Sequence, residues 1–356
     1  GQPKDKQPPV NSELQALLKA AKGLIPTLTS EEMQKLRLSM EKARQVEGKA
    51  ALDEVNDHNR GGHRSKMRLN PPCVHYMMAS TRDKSAFKGA SKKTLQLATA
   101  NVDTVDMIHK SVAGNRYASD LIIHGTNYGE YEAGKHKDSI TNAKSFSAMK
   151  AIVEALTDPG GKSGYKIQAV KHDPGTEFLG ATKQLFADWN VVDLTGEVDR
   201  HTDGALIENR HQMLQHMSCA MSLTAFEGNH DCYEELAIQS WDEIGATASQ
   251  LLNHSQISNH QKDVGMTAAE EQSKGRVCSK DEIAKHIVVG TGVLLFVPKT
   301  KRESKHSARA VRAIFVGLDP NIPGAVRLMP YTAIDGKWAL QPAVSTKTFR
   351  VFENQY

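Results

Sequence analysis

The chain has 356 residues, 39% of them hydrophobic and 24% charged, with a formal net charge of +4. That length admits two or three domains, and that composition supports a packed core and excludes wholesale disorder. No apolar run approaches the roughly 18 residues a membrane span needs, no secretory signal is visible, and Cys73, Cys219, Cys232 and Cys278 form no regular framework, which fits a reducing compartment.

The chain opens on Gly1 rather than Met, which points to a piece of something longer. Residues 1–57 read as a Pro-, Lys- and Gln-rich tail followed by two helices, the second opened by Thr29-Ser30-Glu31-Glu32. Residues 58–94 carry His58, His63 and Cys73. Two His one turn apart before a Cys outline a zinc site, which takes four N or S ligands, but Tyr76 stands where a second Cys would complete it. The other reading is a basic loop that packs or touches phosphate without metal. Between Arg60 and Lys93 the basic residues face Asp83 alone, and beyond Lys285 Lys and Arg again outnumber the acids. Two basic segments suit a polyanion, most simply nucleic acid; the alternative is two solvated surfaces.

Residues 95–253 change to an α/β pattern. A strand is expected over Leu97–Val105 with Asp103 on one face, then further strands over Tyr117–Ile123 and Tyr128–Ala133. A helix over Ser139–Leu156 carries Phe146, Met149, Ile152, Val153 and Leu156 at helical spacing. A fourth strand over Tyr165–Val170 runs into Lys171-His172-Asp173-Pro174-Gly175-Thr176-Glu177-Phe178. Asp173 lies at that strand's C-terminal edge, where open α/β sheets hold their chemistry, although Asp before Pro-Gly is also ordinary turn chemistry. A helix follows with Leu179, Leu185, Phe186 and Trp189 expected inside, then a short strand at Val191–Leu194. Next come a long helix over Gly204–Phe226, with Glu208 in its first turn, and another containing Leu236 to Leu251. Residues 254–284 are polar and read as a linker. Residues 285–356 read as a basic small β-barrel of short strands separated by polar turns.

Asp103, Asp173 and Glu208 stand out as a set. In an RNase H-like arrangement the first and fourth strands lie side by side and a later helix packs over their edge, which would bring the three acids together. Three oxygen donors suit Mg²⁺ or Mn²⁺, and a pair of such ions promotes in-line phosphoryl transfer.

Five segments in order resemble the integrase of Copia-type LTR retrotransposons, over about His58 to Phe352. Lys171 to Phe178 resembles the family's His-Ser/Thr-Asp-x-Gly-x-Glu-Phe segment, and Val102-Asp103-Thr104-Val105 the strand with its first catalytic Asp. Gly204-Ala205-Leu206-Ile207-Glu208-Asn209-Arg210 resembles the segment with its third acid. Val297-Pro298-Lys299-Thr300-Lys301-Arg302 and Ala313-Ile314-Phe315-Val316-Gly317 resemble its Pro-Lys-basic and Ile-Phe-Leu-Gly-Tyr segments.

The resemblance implies an α/β RNase H-like core, a mixed five-stranded sheet flanked by helices, between a zinc-finger-like module and a β-barrel. It implies a Mg²⁺-dependent (or Mn²⁺-dependent) DDE recombinase that trims DNA ends and transfers them to target DNA, with Asp103, Asp173 and Glu208 as its triad. His58, His63 and Cys73 correspond to the Zn²⁺ module. Arg210, Lys299, Lys301, Arg302 and Lys305 are the expected contacts to double-stranded DNA. An active integrase implies a homo-oligomer in the nucleus. A domesticated, catalytically silent copy implies instead a nucleic-acid-binding or scaffold subunit of a larger protein or ribonucleoprotein assembly inside the cell. A nuclease of the same fold is a third reading. The chain departs from the family at Tyr76, at Asp106-Met107, at His124-Gly125-Thr126-Asn127-Tyr128 and at Pro174.

Overall fold

The structure, a computed structural model, describes residues 99–157, 166–195, 205–226, 233–258, 261, 264–302, 304, 307–334 and 337–351. The tail, helices and His-Cys module expected at 1–94, and Lys305, lie outside the described residues.

Strands β1 (Thr99–Asp106), β2 (Tyr117–Ile123) and β3 (Gly129–Gly134) form an antiparallel meander. β1 also pairs in parallel with β4 (Ala169–His172), which pairs in parallel with β5 (Val192–Thr195). The order is β3-β2-β1-β4-β5, the expected mixed five-stranded α/β sheet with its first and fourth strands side by side. β4 pairs only from Ala169, later than the apolar run from Tyr165 suggests.

Because side chains alternate across a strand, Ala100 and Val102 face one side of the sheet, Asn101 and Asp103 the other. The first side packs under α1 (Ser139–Thr157) and α2 (Ala181–Asp188), where Val102, Leu121, Phe146, Met149, Val153, Phe178 and Phe186 form a core. Asp138 caps α1, its Oδ1 accepting from the N–H groups of Ile140 (3.0 Å) and Thr141 (2.9 Å). Two expected core residues point outwards. Ile152 is 41% exposed because the buried stripe runs through Phe146, Met149 and Val153, and Leu179 is 55% exposed because Phe178 takes the inward position just before it.

Helices α3 (Ala205–Phe226) and α4 (Tyr233–Ser255) pack together and against the meander. Their outer sides build a second core, in which Leu214, Met217, Met221, Leu236, Ile244 and Leu251 meet Val293, Ala313, Phe315 and Leu328. Those last four belong to strands β6 (Gly292–Phe296), β7 (Ala310–Leu318) and β8 (Val326–Ile334). With β9 (Lys337–Leu340), β10 (Val344–Thr346) and β11 (Phe349–Val351) they form a six-stranded antiparallel sheet of order β10-β8-β7-β6-β11, β9 pairing on β8. This sheet stands where a small barrel is expected, and it shares its core with α3 and α4. At Gly317 an added Cβ would lie 2.0 Å from the Thr247 hydroxyl, which donates to the Val316 carbonyl, so only glycine permits this approach of β7 to α4.

The stretch expected as a linker, 254–284, is corrected where it is described. It carries the short helices α5 (Ala268–Gln272) and α6 (Ser279–Ala284). Ala268 and Ala269 are buried in the first core, and the buried Ser258 hydroxyl donates to the Gly125 carbonyl at 3.1 Å. Its polar residues are used internally. Thr267 caps α5 in a capping box with Glu270, whose second oxygen accepts from the Ser279 N–H at 3.0 Å. Thr267→Ala is therefore expected to lower folding stability by about 1 kcal/mol in urea denaturation.

Candidate functional site

The segment after β4 divides its labour by residue. His172 is buried, stacked on Phe178 with centroids 4.5 Å apart, and its Nε2 lies 2.8 Å from Asp193 Oδ1 on β5. Asp173, freed from the sheet, is exposed and accepts the Gly175 N–H at 3.2 Å. The Asp-Pro-Gly turn is therefore the means by which Asp173 is held. A Cβ on Gly175 would lie 2.5 Å from Glu177 Oε2, so glycine is what lets the buried Glu177 carboxylate fold back under the turn.

β1 and β4 pair with Thr99 against Ala169, Ala100 against Val170 and Asn101 against Lys171. Continued by two residues, that parallel register sets Asp103 against Asp173. The two carboxylates act on one another: burial raises the Asp103 carboxyl above its usual range and the Asp173 charge adds to it, against the pull of His211 and the Thr104 N–H. Lys137, placed by the Asp138 cap, faces both. Its ammonium binds Glu177 Oε1 at 2.8 Å. Partial burial lowers the Lys137 ammonium, but the hydrogen bond and charge of Glu177, with Asp103 and Asp173 behind it, more than reverse that and hold it above its ordinary value. Lys137 and Glu177 are not among the residues the sequence singled out for function. Glu177 stands inside the quoted motif, whereas nothing local marks Lys137.

Glu208 sits exposed in the first turn of α3. The α3 side chain that reaches Asp103 is His211, one turn further on, with Nδ1 3.6 Å from Asp103 Oδ2 and Nε2 3.6 Å from Asp120 Oδ2. Asp103, Asp120 and Tyr131 form one row across β1, β2 and β3 on the face under α3 and α4.

Arg210 requires a correction. Expected at the DNA surface, it is 0% exposed: its Nε donates to Asp120 Oδ1 at 2.9 Å and its Nη2 to the Ser249 hydroxyl at 2.6 Å. A buried carboxylate on β2 claims the guanidinium, so it has no face to offer a phosphate. Beside it, burial pushes the Glu130 carboxyl up to about 7, and the Tyr128 hydroxyl donates to Glu130 at 2.5 Å.

The other described DNA candidates lie on the C-terminal sheet. Lys299 and Lys301 are exposed on a single 3-10 turn after β6. Arg302 folds back, its Nε donating to the Val297 carbonyl at 2.9 Å and its guanidinium 5.4 Å from the Phe296 ring centre. Arg312 on β7 and Arg350 on β11 both pair with Leu294 on β6, so they flank it in one cross-strand row, and both are exposed. The sequence reading missed this pair because only the register brings the two strands together.

Two neighbouring carboxylates whose charges act on one another have the donor chemistry of a hard divalent ion, and Asp103 and Asp173 fit one in that sense. Among the described residues, no three His, Cys, Asp or Glu side chains group closely enough to hold a metal ion, so Glu208 is not gathered with the pair. No helix among the described residues is long and apolar enough to cross a membrane.

Compared with known proteins, the sequence matches no family model and no curated protein. Among solved structures it is similar to the catalytic core domain of BIV integrase, at 14% identity and a TM-score of 0.31, over 50% of this chain and 95% of that one.

Proposed function

We propose that the chain is an integrase-class protein that handles DNA, with Asp103 and Asp173 as the acids that receive Mg²⁺ or Mn²⁺ and Glu208 as the third. The observation that supports this best is the parallel pairing of β1 with β4, which, continued two residues beyond its last pair Asn101–Lys171, sets Asp103 against Asp173 just past the C-terminal edge of β4. When bound, a metal pair supplies activation of the attacking oxygen and stabilisation of the leaving one. The chain's own residues do the rest. Asp173 is aimed by the Gly175 N–H, Lys137 holds Glu177 beneath the turn, and Lys299, Lys301, Arg312 and Arg350 neutralise backbone phosphates without reading sequence. The reaction proposed is removal of the ends of linear DNA with water, followed by attack of the new 3′-hydroxyl on a target phosphodiester. Zinc at His58, His63 and Cys73, a homo-oligomer and a nuclear site of action belong to the same proposal.

A second reading has a specific observation in its favour. Lys137 already supplies positive charge to Asp103 and Asp173, and Glu208 stands apart from them, as a silent copy kept as a nucleic-acid-binding or scaffold subunit would have it. A strand-transfer assay on end-matched DNA separates the two. Activity in Mg²⁺ or Mn²⁺ that falls on the order of 10³-fold in Asp173→Asn supports the integrase. A wild type inactive in both metals, with salt-dependent DNA binding intact, leaves the silent reading.

A further inference from the structure

The exposed face of β6 carries a combination that phosphate contacts alone leave without a role. Phe146, Phe178, Phe186, Phe226 and Phe315 are at most 3% exposed, whereas Phe296 is 47% exposed. A ring so exposed gives up much of the burial that stabilises a phenylalanine elsewhere. It does not stand alone. Alternation along β6 puts Phe296 on the side of Leu294, the residue that Arg350 and Arg312 flank. Two residues along a strand span roughly 7 Å, so the ring and the arginine row are neighbours. One step past the last β7–β8 pair, Ala313 with Pro330, the half-buried Tyr331 comes level with Arg312, which hydrogen-bonds its hydroxyl.

The arginine nearest Phe296 lies on the ring instead of reaching outwards. Arg302 is drawn back by the Val297 carbonyl, and its guanidinium sits 5.4 Å from the ring centre. Of the described residues from 292 to 351, Asp319 is the sole acid, and its Oδ1 accepts from the N–H groups of Asn321 at 2.8 Å and Ile322 at 3.0 Å. Within the described sheet, the charge of the arginine row is therefore left for a polyanion.

A duplex would use only part of this face. Its backbone meets the cations, but its bases are stacked on one another and offer Phe296 nothing. An unpaired strand uses both parts, because its phosphates meet the cations while its bases lie flat on aromatic rings and guanidinium planes. We infer that this face of the C-terminal sheet binds single-stranded nucleic acid, with one base stacked on Phe296 beside Arg302, another at Tyr331, and the backbone along Arg312 and Arg350. This role rests on the nucleic-acid reading proposed above and narrows it, at this sheet, to unpaired strands, whether DNA or RNA.

Fluorescence anisotropy on the full 356-residue chain tests it with oligo(dT), oligo(rU) and a mixed-sequence duplex, each about 12 nucleotides or base pairs long, within the span that compact single-strand modules cover. Phe296→Leu keeps an apolar side chain but removes the flat face. It is expected to weaken single-strand binding on the order of tenfold, the loss of one stacked base, with duplex affinity and the salt slope unchanged. Phe296→Trp is expected to retain full single-strand affinity. Arg312→Gln is expected instead to lower the slope of log affinity against log salt by about 0.7, the signature of one phosphate contact on a single strand. The tighter of oligo(dT) and oligo(rU) identifies the strand as DNA or RNA, and equal affinities mean that the face takes both. Unaltered single-strand affinity in Phe296→Leu, equal weakening towards strand and duplex, or a wild type that binds only duplex would each overturn the platform and leave the integrase reading standing. A wild type that binds neither form would overturn both.

Discussion

Replacing Arg210 with methionine is expected to cost about 3–5 kcal/mol of folding stability, the largest effect of any single substitution proposed for this chain. The cause is Asp120 rather than the arginine itself. Asp120 is 1% exposed in the middle of β2 and its charge is answered by a guanidinium that is itself fully buried. Without Arg210 a buried carboxylate is left between sheet and helices with only His211 at 3.6 Å to face it, beside Glu130, which burial already pushes up to about 7. Packing is drawn in as well, because a Cβ on Gly129 would lie 2.4 Å from the Arg210 Cζ, so the guanidinium fills space that β3 leaves open by having glycine there. Urea denaturation of Arg210→Met, Asp120→Leu and the double variant measures the coupling. The double variant is expected to recover much of the loss, since a buried pair replaced by apolar groups is often neutral where half a pair is not. At temperatures where Arg210→Met remains folded, its DNA affinity and salt dependence are expected to match the wild type. A stable variant with a reduced salt slope would instead put Arg210 on a phosphate.

That residue also marks where the sequence stops being legible. Asp103 and Asp173 could be found because each lies on, or just past, an apolar strand whose alternation and Pro-Gly stop are local signals. The strands, α1, α3 and α4 follow from the same local patterns, within a few residues at their ends. Arg210 was misread because a charged residue two positions from an acid has the same composition whether it meets solvent or a carboxylate on another strand, and Asp120 lies 90 positions away in the chain. The stretch 254–284 failed for the same reason. Its serines, threonines and glutamates look solvated until Thr267, Glu270 and Ser279 are seen to bond one another, and nothing in that composition says that Ala268 and Ala269 are core. Lys137 and Glu177 join the site only through the fold of a turn onto the first residues of α1. Local periodicity specifies elements, whereas the partners of polar side chains depend on which elements meet.

The same reasoning identifies Lys137 as the residue on which the two functional readings divide. It is a lysine held near two carboxylates by a third, Glu177, and its positive charge answers repulsion that a divalent ion would answer in an active site. Lys137→Met removes that charge and keeps most of the stem. Asp103 and Asp173 then repel with less relief, His211 and the Thr104 N–H still acting on Asp103, so Mn²⁺ is expected to bind on the order of tenfold more tightly than to the wild type, as read from free Mn²⁺ by electron paramagnetic resonance. Stability should become metal-dependent in step: at Mn²⁺ a hundredfold above its dissociation constant, linkage raises the unfolding free energy of the variant by about 2.7 kcal/mol over its value in EDTA. Asp173→Asn in the Lys137→Met background is expected to abolish both gains, which ties them to this carboxylate pair rather than to acids elsewhere. If the wild type takes up Mn²⁺ strongly before Lys137 is altered, the ammonium is a weak placeholder that yields to metal, and the integrase reading gains. If only the Lys137→Met variant binds, the lysine has taken the ion's place for good, and the fold persists for what its exposed Lys299, Lys301, Arg312 and Arg350 can hold. Unchanged Mn²⁺ affinity in the variant would remove Lys137 from the site and leave Glu177 as its whole purpose.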